Sequence, residues 1–266
     1  MARPAVLRLD LPVLGGAGNE AIFPASRPSG RSGAFALYRA GEWLLGCATL
    51  PVADGLESAA GALYDDLLQA SRGWHLCRVW NYVPQINARG AAGLENYRAF
   101  CRGRACAFEA AYGSSYVSRL CAASAVGTRE DRLAVVFAAA AAPPSHFENP
   151  GQVPAYRYPL EYGPRPPSFA RATVSADGRA VFVSGTSAIK GHATVAPGDA
   201  AAQLGCTIEN LALISRAVGL GDSLGAGAGF ERHFKIYLRH AADFSRTASD
   251  LEATLLRPGD HVTWLQ

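Results

Sequence analysis

The sequence predicts an α+β fold in which one order of elements occurs twice. Three observations carry that reading. Apolar runs of strand length flank short polar turns, helical stretches with one apolar stripe lie between them, and a Pro-, Gly- and Tyr-rich connector from Pro143 to Pro167 divides the chain. A length of 266 residues holds one large domain or two of ordinary size. The predicted division is 1–150 and 151–266, each a mixed sheet with helices packed on one face.

In the first half, Ala34 to Tyr38 and Trp43 to Ala48 are short apolar runs around a turn at Ala40-Gly41, the pattern of a hairpin. Gly55 to Ala70 places Leu56, Ala59, Ala60, Leu63, Leu67 and Leu68 on one helical face, with Asp54 as the expected cap. Leu76 to Val83 reads as a strand and Leu94 to Ala111 as a second helix. Strands near Val117 to Ala125 and Leu133 to Ala139 follow, joined by a polar turn at Thr128 to Asp131.

The second half repeats this order. Phe169 to Ser175 and Ala180 to Ser184 flank Asp177-Gly178, a hairpin signal. Asp199 to Val218 is a helix with Ala202, Leu204, Ile208, Leu211 and Ile214 as its stripe. Phe234 to Leu238 is a strand, Asp243 starts a helix reaching Leu256, and His261 to Leu265 is a further strand. Against the first half, the last strand of the second is missing. Such a strand buries about three side chains at ~1.5–3 kcal/mol each, a sum that rivals the stability of a typical domain. Either another segment or subunit fills the gap, or the chain is a shortened version of a longer one; the expectation here is the second.

Bulk properties exclude several classes. An apolar fraction of 49% with 18% charged residues is globular rather than disordered. A net charge of +3 with scattered basic residues does not support nucleic-acid binding. The six cysteines show neither a CxxC pair nor metal-ligand spacing, which predicts buried thiols in a reducing compartment. Met1 to Val13 lack the apolar core of a signal peptide, and the longest apolar run, Leu133 to Ala142, is too short to cross a bilayer. The expected location is the cytoplasm. No phosphate loop and no metal set is evident, so neither cofactor nor metal is expected.

Function concentrates between Tyr156 and Asn210. Three tyrosines and three arginines fall between Tyr156 and Arg171, more than a core requires. Gly185, Thr186 and Ser187 follow a strand, where glycine admits close backbone approach and the hydroxyls offer hydrogen bonds. Asp199, Gln203, Glu209 and Asn210 lie along the helix that follows. Together these residues suit a pocket for a small, oxygen-rich anion. Lys190 and His192 invite an acid-base reading, but a lone His in a Gly-rich loop is more often structural. Cys206 has no evident His or Asp partner and reads as a buried thiol. Trp80 and Asn81 are expected to pack and satisfy the first half.

The repeat of two strands, helix, strand, helix, two strands resembles the reactive-intermediate deaminase (chorismate-mutase-like) fold, used twice in tandem. More specifically, the chain resembles the chorismatases, which hydrolyse chorismate or form 3-hydroxybenzoate; some relatives carry the label pteridine-dependent deoxygenase-like. The residues behind this are RVWNYVPQIN from Arg78 to Asn87, GLENYRAFCRGR from Gly93 to Arg104, YRYP from Tyr156 to Pro159, and YGPRPPSFAR from Tyr162 to Arg171. SGTS from Ser184 to Ser187, Gly191-His192 and FKIYLR from Phe234 to Arg239 complete the set. Each motif is weak singly; their order and spacing together are specific.

The resemblance implies a dianionic substrate, chorismate, and release of pyruvate with 3-hydroxybenzoate or a dihydroxycyclohexadiene carboxylate, in secondary-metabolite or pigment biosynthesis. Two carboxylates call for two cationic anchors, and arginine matches a carboxylate with two parallel hydrogen bonds. Arg165, Arg171 and Arg239 are the candidates, with Tyr158 and Tyr162 to stack on the ring or donate phenolic hydrogen bonds. The family's proton donor is a glutamate on a strand beyond the position of Gln266, which leaves the catalytic residue unassigned; Glu209 does not match it and reads as a cap or surface group. Two other readings stay open: an imine deaminase-like hydrolase, and a catalytically impaired metabolite-binding homologue. Subunit number is open as well, monomer or trimer.

Overall fold

The computed structural model describes residues 7–90 and 93–266, so the part of the leader reading that falls on residues 1–6 lies outside the described residues. In chain order the elements are β1 (Val13–Gly16), β2 (Arg27–Ser32), β3 (Phe35–Ala40), β4 (Trp43–Pro51), α1 (Leu56–Ala70), β5 (His75–Pro84), α2 (Asn96–Tyr112), β6 (Ala122–Thr128) and β7 (Arg132–Ala140). They continue with β8 (Ser145–Phe147), β9 (Ala172–Val174), β10 (Val181–Val183), β11 (Ile189–Lys190), β12 (Ala193–Thr194), α3 (Ala200–Ala217), β13 (His233–Tyr237), α4 (Phe244–Thr254) and β14 (His261–Leu265). The fold is α+β with mixed sheets. Two compact units divide it, one of residues 7–10, Phe23–Glu148 and Pro154–Gly185, the other of Leu11–Ile22, Asn149–Val153 and Thr186–Gln266.

The first unit is built on a six-stranded sheet in the order β2-β3-β4-β7-β5-β6. Only β5 and β6 run parallel, because α2 carries the chain back between them. The stripe expected on α1 is buried in full and gains Tyr64. It meets Phe100 and Phe108 of α2 and alternate residues Val79 and Val83 of β5. The helices touch at Gly103, where a Cβ would lie 2.2 Å from the Glu57 carbonyl oxygen. On the opposite face of the sheet Trp80 meets Phe182 edge-on at 6.2 Å. Asn81 satisfies the core as expected: it accepts from the Tyr64 hydroxyl at 2.7 Å and donates to the Ser124 carbonyl at 2.8 Å.

Two local expectations are corrected. Asp54 does not cap α1; the cap position is Gly55, at φ +89°, a conformation that glycine adopts without strain. The strand expected from Val117 begins only at Ala122, because Gly113–Arg119 coils as a 3-10 turn whose Ser115 and Ser118 hydroxyls donate to carbonyls three residues back.

The hairpin β9-β10 extends this unit past residue 150. The Ala122 N–H donates to Thr173 Oγ1 at 2.8 Å, the Ala123 N–H to Ser184 Oγ at 2.8 Å, and the Gly185 N–H to the Ala123 carbonyl at 3.1 Å. The edge of β6 is thereby covered by side chains and backbone of the hairpin. β8 pairs antiparallel with β9, matching His146 to Thr173 and Phe147 to Ala172.

In the second unit α3 starts where expected, with Asp199 accepting from the Ala202 N–H at 3.0 Å. Its Leu204, Ile208 and Leu211 pack with Leu251, Leu255 and Trp264. β13 and β14 are parallel, as β5 and β6 are, and β1 lies antiparallel along the outer edge of β14. Among the described residues of this unit, no strand pairs with the other edge of β13. All six thiols are free; Cys77, Cys101, Cys121 and Cys206 are buried, whereas Cys106 is exposed and Cys47 half-buried. No helix among the described residues is long and apolar enough to cross a membrane.

Candidate functional site

The connector folds back through two 3-10 turns, Ala155–Arg157 and Leu160–Tyr162, each begun after a proline whose ring fixes φ. Gly163, at φ +145°, then lets the backbone pass the Arg98 side chain, where a Cβ would sit 3.3 Å from Cγ. The turns deliver Tyr158 and Tyr162 as a tilted pair with ring centroids 5.5 Å apart.

Arg171 enters the same place from the sheet. Its N–H donates to the Phe147 carbonyl at 3.0 Å and its carbonyl accepts from the Ser184 N–H at 2.9 Å, so its backbone is fixed on both sides. The side chain is buried, donates from Nη2 to the Tyr158 hydroxyl oxygen at 2.9 Å, and lies 5.1 Å over the Phe169 ring. A guanidinium keeps its charge when buried. The result is a positive charge in low dielectric, oriented by a phenol and an aromatic face.

Register places a carboxyl beside it. Phe147 pairs with Ala172, so the next residue, Glu148, stands opposite Arg171, and period-two alternation puts His146, Glu148, Arg171 and Thr173 on one face. A groove of about 550 Å³ opens there, lined by Ser115, Ser118, Leu120, His146, Glu148, Tyr156 and Ala170, within the range of small-molecule sites. Burial pushes the Glu148 carboxyl up to about 7, against the opposing pull of Arg171 and Arg157. Its Oε2 is shielded from water and accepts no hydrogen bond among the described residues. Burial lowers the His146 pKa, which favours the neutral imidazole, and its Nδ1 lies 3.0 Å from Thr173 Oγ1.

Of the residues expected to bind ligand, the structure brings Tyr158, Tyr162 and Arg171 together. Arg165 is instead ion-paired with Glu109 of α2. Gly185 lies against β6, where a Cβ would stand 3.3 Å from the Ser124 Cβ. Thr186 and Ser187 belong to the second unit, where Asn210 donates from Nδ2 to the Ser187 and Ile189 carbonyls at 2.9 Å and shapes the loop. Arg239 also belongs to the second unit and is exposed. Lys190 and Glu209 form a surface ion pair at 3.1 Å, each about 60% exposed (61% and 62%), which fits the surface role read for Glu209.

Sequence reasoning missed three groups. Glu148 and His146 flank Phe147 in a three-residue strand too short for a periodic signal. Arg78 sits in β5 among apolar neighbours, buried, donating to Ser124 Oγ at 2.9 Å and stacked 5.1 Å from Trp80. An arginine inside a mainly apolar strand was the available signal, since charge is rarely buried without a purpose.

Comparison with known proteins gives the following likenesses. The family model described as "Chorismatase FkbO/Hyg5-like, N-terminal" matches residues 22–139. A chorismatase of Streptomyces rapamycinicus is 38% identical over 231 residues, covering 82% of this chain and 68% of that protein. A 3-hydroxybenzoate synthase of Streptomyces hygroscopicus is 42% identical over 176 residues, covering 62% and 51% respectively. A chorismatase of the latter species is 36% identical over 233 residues, 84% of this chain and 67% of its own length. A chorismatase crystal structure at 1.08 Å superposes with a TM-score of 0.82 at 33% identity, covering 90% of this chain and 75% of the other.

Proposed function

The chain belongs to the chorismatase family, and on that footing we propose that it cleaves chorismate, releasing pyruvate. The ring product is 3-hydroxybenzoate or a dihydroxycyclohexadiene carboxylate. The observation that carries this is identity of 38% and 36% to two chorismatases across 82% and 84% of the chain. We also read the architecture as two reactive-intermediate-deaminase-like repeats, 1–150 and 151–266. Support comes from the shared order helix, strand, helix, strand with a parallel pair, α1-β5-α2-β6 and α3-β13-α4-β14.

In this reading Arg171 is the first anchor. Its buried charge meets one substrate carboxylate, Tyr158 holds the guanidinium plane, and Tyr162 offers a ring face to the carbocycle. Gly185, in the same unit, is assigned to the remainder of the ligand. Arg165 reaches substrate only by exchanging its partner Glu109.

The chemical step is protonation of the enolpyruvyl methylene, which leaves an oxocarbenium-like carbon. Water adds there and the resulting hemiketal expels pyruvate, leaving the diene diol. Capture by the neighbouring ring hydroxyl instead gives a cyclic ketal. Loss of the ring proton on the ether-bearing carbon, with cleavage of the other ring C–O bond, aromatises the ring. The resulting hemiketal collapses to 3-hydroxybenzoate and pyruvate with no net water consumed. A protonated carboxyl must make the first transfer, which near pH 7 requires burial.

Chorismate turnover followed through pyruvate by coupled reduction to lactate tests the reaction, and chromatography of the ring acid reads the branch. Stoichiometric pyruvate is expected. A folded protein that releases none and binds no chorismate overturns the reading.

A further inference from the structure

The second unit gathers three metal-ligating side chains at the start of its two parallel strands. His233 of β13 and His261 of β14 are register partners, and their rings stack at 4.5 Å with a 10° interplanar angle. Glu231 reaches both: its Oε1 lies 3.4 Å from His233 Nε2 and 2.9 Å from His261 Nε2. The three ligand atoms all fall within 4.8 Å of one another. Zinc bonds of about 2.0–2.1 Å imply ligand atoms about 3.3 Å apart in a tetrahedron. The two Glu231 distances bracket that edge.

Two further observations separate this cluster from an ordinary surface ion pair. The first is an outer carboxylate. Glu20 Oε1 lies 3.6 Å from His233 Nδ1, while its other oxygen is held by Lys235. A carboxylate on one ring nitrogen orients the imidazole and leaves the other nitrogen to the metal. The second is a rigid base. Arg232 and Asp260, the residues immediately before the two histidines, are joined by paired hydrogen bonds of 2.8 and 2.5 Å with both side chains 6% exposed. Arg232 also donates to the Ser223 carbonyl at 2.8 Å, and the His261 N–H donates to the Arg232 carbonyl at 2.9 Å. Both imidazoles therefore leave a backbone whose register is locked, which is what a metal site requires of its scaffold.

We propose that Glu231, His233 and His261 form a site for a zinc-class divalent cation, with a fourth position open to water. Glu231 supplies a negative charge to the ion, whereas the charge of Glu20 is balanced by Lys235. The site links β13 to β14 and, through Glu20, to the segment that follows β1. It stands independently of chorismate cleavage, since none of its residues belongs to the Arg171 cluster.

The test uses the full chain without an affinity tag, stripped with chelator. Zn2+ is titrated by calorimetry and Co2+ by visible absorption, where tetrahedral coordination gives intense ligand-field bands. One equivalent per chain is expected, with a melting temperature that rises on Zn2+ addition. The His233→Ala/His261→Ala double variant loses the equivalent and the thermal shift, and Glu20→Gln weakens affinity by about 10–100-fold while keeping the stoichiometry. Absence of saturable binding overturns the proposal, as does binding that the double variant leaves unchanged, which would place the ion on thiols or elsewhere. Should the double variant fail to fold, the exposed single change Glu231→Gln decides, and unchanged Zn2+ affinity there overturns the proposal equally.

Discussion

Replacing Glu148 by glutamine separates its burial from its charge. The carboxyl titrates at about 7 in the fold against an ordinary 4.5. At about 1.4 kcal/mol per pH unit, the ionised form is disfavoured in the native state by an upper bound of about 3 kcal/mol. One side of the groove faces water, and screening brings the expected figure to about 1–2 kcal/mol. The sign follows from proton uptake. Between pH 4.5 and 7 the unfolded chain has released this proton while the native chain retains it, so stability falls as pH rises and then levels off. Glutamine carries no charge at any pH. Glu148→Gln is therefore expected to match the wild type near pH 4.5 and to exceed it by about 1–2 kcal/mol at pH 8, in urea unfolding at fixed ionic strength. The same titration governs Arg171: above pH 7 the ionised Glu148 competes with an incoming carboxylate, so chorismate affinity of the wild type falls across that pH and that of the glutamine variant does not. A stability difference that stays constant from pH 4.5 to 8 refutes the reasoning.

Other consequences follow from single contacts. Arg171→Gln removes a buried cation and is expected to lower kcat/KM by about 30- to 1000-fold, the range for truncating a desolvated charge partner, whereas Tyr158→Phe, losing one hydrogen bond, costs about tenfold. Arg165→Ala breaks a partly exposed ion pair with Glu109, so unfolding should shift by less than about 1 kcal/mol; a larger loss in chorismate affinity measured by calorimetry would assign it to the site. Gly103→Ala drives a methyl to 2.2 Å from the Glu57 carbonyl oxygen, and the overpacking cost of about 1–3 kcal/mol exceeds the helix-propensity gain of about 1 kcal/mol; a thermal melt at or above the wild type would contradict that packing.

The long amphipathic elements were legible because their periodicity is set by burial. Leu56 through Leu68 gave α1, and the apolar β5 and β7 gave the centre of the sheet. β2 was not, since Arg27–Ser32 is exposed along nearly its whole length and is held by backbone pairing with β3 alone. The arginine and tyrosines of the connector were legible as chemistry, yet which arginine is buried was not. Arg165 and Arg171 look alike in sequence; the sheet register buries one and Glu109 pairs with the other. The Glu231, His233 and His261 cluster was invisible for a similar reason, since parallel pairing of two strands far apart in sequence is what aligns its imidazoles.

Glu148, beside Arg171, offers a test of whether an anionic ligand reaches the first unit. A buried guanidinium kept only for packing is usually neutralised by an ionised carboxylate close by, because an uncompensated charge in low dielectric is costly. Glu148 stands in position to do so, but burial holds it at about 7 despite two nearby arginines, so around neutral pH it supplies only part of a negative charge. Tyr158 and Phe169 contribute a phenolic oxygen and a π face, which orient the guanidinium. Beside Glu148 opens a groove large enough for a carbocyclic acid. A carboxylate arriving there gains what Glu148 withholds, and by drawing on the same cation it should raise the Glu148 pKa further. Proton uptake on ligand binding near pH 7, measured as a buffer-dependent binding enthalpy, is the expected signature. A binding enthalpy independent of buffer ionisation would show that ligand and Glu148 do not share Arg171.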